Sequence, residues 1–348
     1  MNLLSSISRN IYPLDQKSMK LAKDRWNTLI HPKDSLGKLE DICVQLAGVY
    51  ENEKIEMPKK AIIAFGADHG VYEEGVASDP QEITKVQFPN FAKGLCGVGV
   101  LSRFSGADIV PVDVGINCDE PLEGVINRKI RKGTSNMLKG PAMTRDEAVK
   151  SLEIGIEIAE EYIVKEYSLI GIGEMGIANT TASTAIISVI TGYTPQEITG
   201  RGAGLSEDKI AHKAQVIGKA IEINNPNPTD GIEVLETVGG FEIGAMAGVI
   251  MGCAANRIPI VIDGFISYAA SLIAYKINPG IRDYLIPSHY SSEPGSKAAL
   301  EMLKLEPLLD MGMSLGEGTG AALAFNIVDA AVYTYNNMAT FEEVGMNV

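Results

Sequence analysis

Glu317 is the only ionisable side chain in the glycine-rich stretch L-G-E-G-T-G (315–320). An apolar run at 308–315 precedes it and an Ala/Leu-rich segment follows, which predicts a strand, a tight turn and a helix. Turns at the carboxyl ends of parallel strands are where open α/β sheets bind ligands. Glu317 is therefore the first candidate for a catalytic carboxylate. The residues alone leave one alternative, a solvated acid in a flexible loop.

A second glycine turn, G-I-G-E-M-G (171–176), also separates an apolar run from a predicted helix. The spacing matches a dinucleotide-binding loop, but that fold needs a second strand ending in an acid about 20 residues later. The turn-rich segment 191–202 occupies that position instead. The residues favour a phosphate site at the start of the helix, and a tight turn without a ligand is the alternative. The groups available to such a site are Gly176, Ile177, Ala178, Asn179 and Thr180.

A third glycine turn, R-G-A-G-L (201–205), opens another predicted helix, with Lys213 two turns further on. Arg201 or Lys213 could complete an anion pocket at this turn. The alternative for Lys213 is a solvated helix face, where most single lysines lie.

Single acids follow several of the apolar runs. Asp113 and Asp263 each stand alone, whereas a transferase that uses a pyrophosphate donor needs adjacent acids to hold Mg²⁺. His69 lies beside Asp68, but no G-x-S-x-G motif accompanies the pair, which favours a structural role for the histidine. The sequence therefore predicts neither a bound metal nor a cofactor.

Composition limits the classes of partner. The net charge of −14 disfavours binding to nucleic acid and to anionic membranes. The sequence contains no run of 18 apolar residues, so it predicts no membrane span. The four cysteines form no C-x-x-C pair and have no zinc spacing, which favours free thiols in a reducing cytoplasm.

The order of the apolar runs predicts an α/β fold. They are continuous rather than alternating, as in parallel strands buried on both faces. The predicted strands are 61–70, 107–117, 168–176, 258–265, 283–289 and 308–318. Predicted helices cover 15–30, 36–50, 178–191, 205–222 and 241–256, and a T-x-x-E capping box at Thr144 and Glu147 opens another.

Ten ordered blocks over nearly the whole chain resemble the nicotinate-nucleotide:dimethylbenzimidazole phosphoribosyltransferases of cobamide assembly. The blocks are DSLGKLE (34–40), FGADHGV (65–71), VDVGI (112–116), RKGT with PAMT (131–144), GIGEMGIANTTASTAI (171–186), GRGAGL (200–205), GGFEIGAMAG (239–248), RIPIVIDGFIS (257–267), SHYSSEPG (288–295) and LGEGTGAALA (315–324).

The resemblance implies a doubly wound, six-stranded parallel sheet of Rossmann-like topology. It also implies a small helical domain built from both chain ends, with 1–58 and 321–348 joining and 59–320 forming the α/β catalytic domain. The expected assembly is a homodimer, or a pairing with a homologous subunit. The expected substrates are nicotinate mononucleotide and an aromatic base.

The resemblance and the motifs together give expected roles for individual residues. Glu317 is the expected general base and Glu174 a second catalytic carboxylate. The expected nucleotide contacts are Gly176, Ile177, Asn179, Thr180, Gly202, Lys213, Asp263 and Ser291, and the expected base contacts are Asp79, Gln87, Met175 and Leu315.

One departure affects the acceptor base. The family commonly places a serine and a glutamine eight residues apart after the first strand, whereas this chain has Asp79 and Gln87. An acid could accept a hydrogen bond from an amino or hydroxyl group, so adenine, other benzimidazoles and phenols stay open as acceptors. A catalytically idle partner subunit is a further alternative, but it would not need Glu317.

Overall fold

Six apolar segments form one sheet in the computed structural model, which describes residues 3–202 and 204–346. The strands are β1 (Lys60–Ala67), β2 (Asp108–Gly115), β3 (Ile126–Asn127), β4 (Leu169–Met175), β5 (Ile260–Ile262) and β6 (Leu285–Pro287). Their order is β3-β2-β1-β4-β5-β6, and every neighbouring pair is parallel. Strands β2 and β3 are added on one side of β1, and β4, β5 and β6 on the other, so the strand order switches between β1 and β4. This confirms the predicted doubly wound fold.

Helices cover both faces of this sheet. They are α1 (Leu3–Arg9), α2 (Gln16–Trp26), α3 (Lys38–Tyr50), α4 (Ile83–Gln87), α5 (Pro89–Lys93), α6 (Gly97–Phe104), α7 (Arg145–Val164), α8 (Asn179–Thr191), α9 (Pro195–Ile198), α10 (Glu207–Asn224), α11 (Gly231–Val238), α12 (Phe241–Ala255), α13 (Phe265–Ile277), α14 (Gly295–Leu303) and α15 (Thr319–Asn337). Short 3₁₀ helices occupy Gly70–Glu74 and Pro279–Tyr284. The predicted capping box is present, since Thr144 and Glu147 bond each other's backbone N–H at the start of α7.

Strand β1 shows why its residues are apolar throughout. Ile63 and Phe65 point into the core shared with α7, α8 and α12. Ile62 and Ala64 point into a second core, shared with α3 and α15. Because successive strand side chains face opposite sides, a strand covered on both faces needs an unbroken apolar run.

Helices α7 and α12 pack with their backbones in close approach. A Cβ on Gly155 of α7 would overlap the carbonyl of Ala245, and one on Gly248 of α12 would overlap the carbonyl of Leu152. The small residues of α12 thus let it lie flat against both α7 and the sheet.

The sixth strand was predicted in the wrong place. Residues 308–318 form only an isolated parallel bridge, between Leu309 and His289. Gly312 then takes a left-handed φ of 65°, which ends the extended conformation. The strand missing from the prediction is β3, at one edge of the sheet, whose two residues are too few to produce a periodic signal.

The chain ends meet on one side of the molecule. Trp26 of α2 contacts Tyr335 of α15 with ring centroids 5.3 Å apart, and Leu29 forms an antiparallel bridge with Thr340. Helices α2, α3 and α15 share their apolar core with one face of the sheet, whereas Leu4 of α1 packs on the other side. The division into 1–58, 59–320 and 321–348 stays a prediction.

Candidate active site

A cavity of about 590 Å³ opens at the carboxyl edge of the sheet, lined by the end of β4 and by segments that follow β1, β5 and β6. This is the position at which doubly wound sheets bind ligands. Every residue predicted for the site lines this one cavity. They are Glu317, Glu174, Gly176, Ile177, Asn179, Thr180, Gly202, Lys213, Asp263, Ser291, Asp79, Gln87, Met175 and Leu315.

Glu317 is held rather than solvated. Its residue is 6% exposed, its Oε2 accepts from the backbone N–H of Val98 at 3.0 Å, and its Oε1 lies 3.4 Å from Nε2 of Gln87. The alternative of a flexible surface acid is therefore wrong. The carboxylate is fixed at the cavity wall by these two donors.

The glycines around Glu317 allow an unusual backbone. Glu317 has a φ of 64° between Gly316 at 82° and Gly318 at 102°. A non-glycine residue at positive φ costs roughly 1–3 kcal/mol and persists only where its surroundings enforce it. A Cβ on Gly173 of β4 would overlap the Glu317 carbonyl, so this strand glycine lets the turn sit directly on the sheet.

Asp263 anchors the same turn from below. Its Oδ2 accepts from Gly318 N–H at 3.1 Å, and its Oδ1 accepts from Gly320 at 2.6 Å and Ala321 at 3.2 Å. Asp263 thereby caps the N-terminus of α15. Burial raises its pKa to about 7, although these three N–H donors act in the opposite direction.

Glu174 lies beside Glu317 at the end of β4. Its Oε1 accepts from the Glu317 N–H at 3.3 Å, and its Oε2 accepts from Nδ2 of Asn179. Burial, and then the nearby Asp263 and Glu242 carboxylates, raise its pKa to about 8. Glu174 is thus largely protonated at neutral pH, and a bound positive charge would favour its ionised form.

Lys213 provides a positive charge at the other end of the cavity. It is 1% exposed, and its Nζ donates to Oγ1 of Thr180 at 2.7 Å. A solvated helix face is therefore the wrong interpretation of this lysine. Burial lowers its pKa to about 8, with Glu293 acting in the opposite direction. An anion at this end would replace the water that the ammonium has lost.

The expected free N–H groups at the start of α8 are partly engaged. The Ile177 N–H donates to Oγ1 of Thr84 at 3.1 Å, and the Asn179 N–H donates to the Gly176 carbonyl at 3.1 Å. An anion bound at this end would therefore depend more on Lys213 than the sequence suggests. Contacts of Gly176, Ile177 and Asn179 with a nucleotide stay predictions.

The opposite end of the cavity is more apolar. Met175 and Leu315 lie there with Ile83, and Leu315 is 61% exposed. Asp79 is half-buried at this end and makes no hydrogen bond with residues 3–202 and 204–346. The side chain that distinguishes this chain from the family pattern is thus free to meet a ligand.

Several contributors were not found from the sequence. Val98 acts through its backbone N–H, which every residue type except proline carries, so the sequence gives almost no signal there. Glu293 accepts from Gly202 N–H at 2.9 Å, and His289 lies at the cavity wall. Both are in the block SHYSSEPG (288–295), where only Ser291 was singled out.

His69 lies beneath the cavity without lining it. The ring is 1% exposed, and its Nε2 is 2.7 Å from Oε1 of Glu242. Burial alone would lower the pKa of His69, but the Glu242 carboxylate raises it overall. This buried pair agrees with the structural role expected for the histidine.

Comparisons with known proteins place this arrangement in a family. The model of a family described as phosphoribosyltransferase matches residues 11–346. A nicotinate-nucleotide–dimethylbenzimidazole phosphoribosyltransferase of Clostridioides difficile (strain 630) is 69% identical over 346 residues, covering 99% of both chains. This chain belongs to the nicotinate-nucleotide–dimethylbenzimidazole phosphoribosyltransferase family. It is accordingly an enzyme of the glycosyltransferase type.

Other members of this family agree over the full length. The protein of the same description from Alkaliphilus metalliredigens is 54% identical, and the alignment covers 100% of both chains. A crystal structure of the Thermus thermophilus member has a TM-score of 0.90 at 36% identity, covering 96% of this chain and 100% of that one. The family therefore shares the whole α/β fold, not only the glycine motifs.

Two absences concern the described residues only. No group of three or more His, Cys, Asp or Glu side chains in 3–202 and 204–346 is arranged to hold a metal ion. Within the same ranges, none of the helices combines the length and the apolar character that crossing a membrane requires.

Proposed function

We propose that this enzyme transfers the 5-phosphoribosyl group of nicotinate mononucleotide to a lower-ligand base, 5,6-dimethylbenzimidazole or an analogue. The products are nicotinate and an α-ribazole 5′-phosphate-type nucleotide. The observation that supports this best is one fixed carboxylate, Glu317, between an anion end at Lys213 and an apolar end at Met175 and Leu315. The names of the relatives agree with this assignment.

The chemistry needs one base and no acid. The glycosidic bond of the donor joins C1′ to a positively charged pyridinium nitrogen, which becomes neutral when the bond pair leaves with nicotinate. The free ring nitrogen of the benzimidazole attacks C1′, and Glu317 takes the proton from the other ring nitrogen. A positioned base of this kind typically contributes about 10²–10⁴ in rate. Attack opposite the leaving group converts the β-glycoside into an α-glycoside.

Positive charge develops on the ribosyl group as the bond to nicotinate breaks. Glu174 and Asp263 lie at the same wall as Glu317 and supply nearby carboxyl groups. A cationic donor favours their ionised forms, which would stabilise that charge. Asp263 is already bound by the N–H groups of α15, so Glu174 is the better placed of the two.

The product itself tests the assignment. Nicotinate mononucleotide is incubated with dimethylbenzimidazole, benzimidazole, adenine and p-cresol in separate reactions. We expect nicotinate release together with an α-configured nucleotide, identified from its anomeric proton in NMR. A β-configured product would overturn the direct displacement, and no product with any base would overturn the proposed function.

Asp79 is the proposed determinant of acceptor choice. Its carboxylate can accept a hydrogen bond from an amino or hydroxyl group but repels acceptor atoms. We expect Asp79→Ser to shift the ratio of kcat/KM values toward dimethylbenzimidazole by about 10-fold, the value of one charge-assisted hydrogen bond. Asp310→Ser, on the loop before Gly312, is the control. An unchanged acceptor ranking in Asp79→Ser would contradict this role.

We also propose that the enzyme is a homodimer. Large apolar side chains are exposed on the segment that carries Gln87. They are Val86 (67%), Leu95 (70%), Val100 (50%) and Phe104 (75%). Val100 and Phe104 are one turn apart on α6, so they share a face that a second subunit could cover.

Sedimentation velocity should give twice the chain mass, and a monomer at micromolar concentration would contradict the proposal. A mixed dimer with a homologous subunit is the alternative.

A further inference from the structure

His289 is a buried histidine at the cavity wall, two residues after β6. It is 1% exposed, and it packs between the turn after β5 and the start of α15. A Cβ on Gly264 would lie 3.2 Å from its Nε2, and a Cβ on Gly320 would overlap its Nδ1. Glycines on both sides therefore make room for the imidazole ring in this position. The proposed reaction assigns no role to it.

The hydrogen bonds of Ser288 determine which ring nitrogen carries the proton. The Ser288 hydroxyl donates to the backbone carbonyl of Asp263 at 2.5 Å. A hydroxyl has one hydrogen, and a carbonyl oxygen can only accept. The contact between Ser288 Oγ and His289 Nδ1, at 2.9 Å, must therefore be donated by Nδ1–H.

The other ring nitrogen is consequently a hydrogen-bond acceptor. Burial lowers the pKa of His289, so the ring is neutral at pH 7 and Nε2 carries a lone pair. No residue in 3–202 and 204–346 forms a hydrogen bond with Nε2. Because His289 lines the cavity, this acceptor is open to a donor from a ligand or from water.

The donor nucleotide of the proposed function offers few such groups, and the inference rests on that function. Its carboxylate and phosphate are acceptors, and its pyridinium nitrogen carries no hydrogen. The reliable hydrogen-bond donors on this molecule are the two ribose hydroxyls. We propose that Nε2 of His289 accepts a hydrogen bond from a ribose hydroxyl of the nucleotide.

The position of His289 agrees with this assignment. Asp263 and Gly264 connect it to the Glu317 turn, where C1′ must react. Ser291, two residues further along the chain, lines the same cavity as Lys213, where the phosphate is expected. The ribose joins these two ends of the nucleotide, so a ribose contact belongs between them. Ser288 is then a positioning residue, because it fixes the tautomer without touching the substrate.

Deoxy-nucleotides test the contact directly. The kcat/KM values of wild type, His289→Leu and His289→Gln are measured with nicotinate mononucleotide and with its 2′-deoxy and 3′-deoxy forms. The kcat/KM of wild type should be about three- to tenfold lower with one of the two deoxy forms, which corresponds to the loss of one neutral hydrogen bond. His289→Leu should lose the same factor on the normal substrate and no longer distinguish that deoxy form. His289→Gln retains an acceptor oxygen and should recover part of the discrimination.

Two further variants separate this contact from a general structural effect. His31→Leu removes another largely buried imidazole, which bonds to the Trp26 carbonyl far from the cavity, and it should discriminate as wild type does. Ser288→Ala leaves the imidazole in place but no longer fixes the proton on Nδ1. It should therefore weaken the discrimination between normal and deoxy substrate, even if His289→Leu folds poorly.

The results can contradict the inference in distinct ways. If wild type turns over but ignores both deoxy changes, or if His289→Leu and Ser288→Ala discriminate as strongly as wild type, the contact with His289 is wrong and the proposed function stands. If wild type does not consume nicotinate mononucleotide with any base, the proposed function and this inference both fail.

Discussion

At the scale of single residues, the site is a set of acids kept close together in a buried space. Glu317, Glu174 and Asp263 are each at most 6% exposed, and hydrogen bonds to backbone N–H groups connect them. Such a group is unfavourable without a compensating positive charge, because like charges repel and burial penalises ions. A substrate that arrives with a positive charge relieves this repulsion, so the same feature favours binding and reaction.

The ionisation of Glu174 should be visible in stability. Its pKa of about 8 in the fold exceeds the usual 4.5, so the fold favours the protonated form. That stabilisation is complete below about pH 4.5 and is lost as the pH rises through about 8. Glu174→Gln cannot ionise. Between pH 5 and pH 9 its free energy of unfolding should therefore rise relative to wild type by on the order of a few kcal/mol.

Denaturant unfolding at several pH values measures this difference. Glu56→Gln removes a carboxylate from the exposed surface and serves as the control, for which no comparable trend is expected. A constant difference between Glu174→Gln and wild type from pH 5 to pH 9 would show that Glu174 is ionised throughout.

At the scale of elements, close backbone packing of α7 on α12 is as specific as any side-chain contact. Gly155 of α7 faces the Ala245 carbonyl of α12 with no room for a methyl group. Gly155→Ala should destabilise the protein by about 1–3 kcal/mol, because the helices must move apart. Gly218→Ala, on α10, meets nothing within 4 Å and should stabilise it by about 0.4–1 kcal/mol.

Thermal unfolding of the two alanine variants provides the comparison. Opposite signs are expected from the same chemical change in two helices. Equal effects would mean that helix propensity, rather than the contact between α7 and α12, determines the result at Gly155.

The central strands could be predicted from the sequence because they are buried on both faces. The predicted segments 61–70, 107–117 and 168–176 match β1, β2 and β4 to within three residues. The strands at the edge of the sheet were harder to predict. β3 has two residues in a polar context, and 308–318 has the composition of a strand but forms only one isolated bridge, at Leu309.

The candidate site divides in a similar way. Glu317 was recognisable because glycines isolate it, and Lys213 because a glycine turn precedes it. One of the two donors that hold Glu317 is the N–H of Val98, more than 200 residues earlier, which no local pattern reveals. The capping role of Asp263 likewise depends on β5 lying under α15, so only the folded chain shows it.

At the scale of the whole molecule, the cavity is built where segments far apart in sequence meet. The end of β4, the turn before α15 and the segment around Asp79 and Gln87 all reach the carboxyl edge of one sheet. The net charge of −14 is compatible with an anionic substrate, because Lys213 places a buried positive charge inside the cavity. Global charge governs association with large partners, whereas local groups determine binding of a small nucleotide.

The most direct test of this account is the turnover of Glu317→Gln with nicotinate mononucleotide and dimethylbenzimidazole. Glutamine keeps the size of the side chain but cannot accept a proton from the attacking base. We expect kcat to fall by about 10²–10⁴, with a melting temperature close to that of wild type and of Glu56→Gln. A folded Glu317→Gln enzyme that turns over at the wild-type rate would contradict the assignment of Glu317 as the general base.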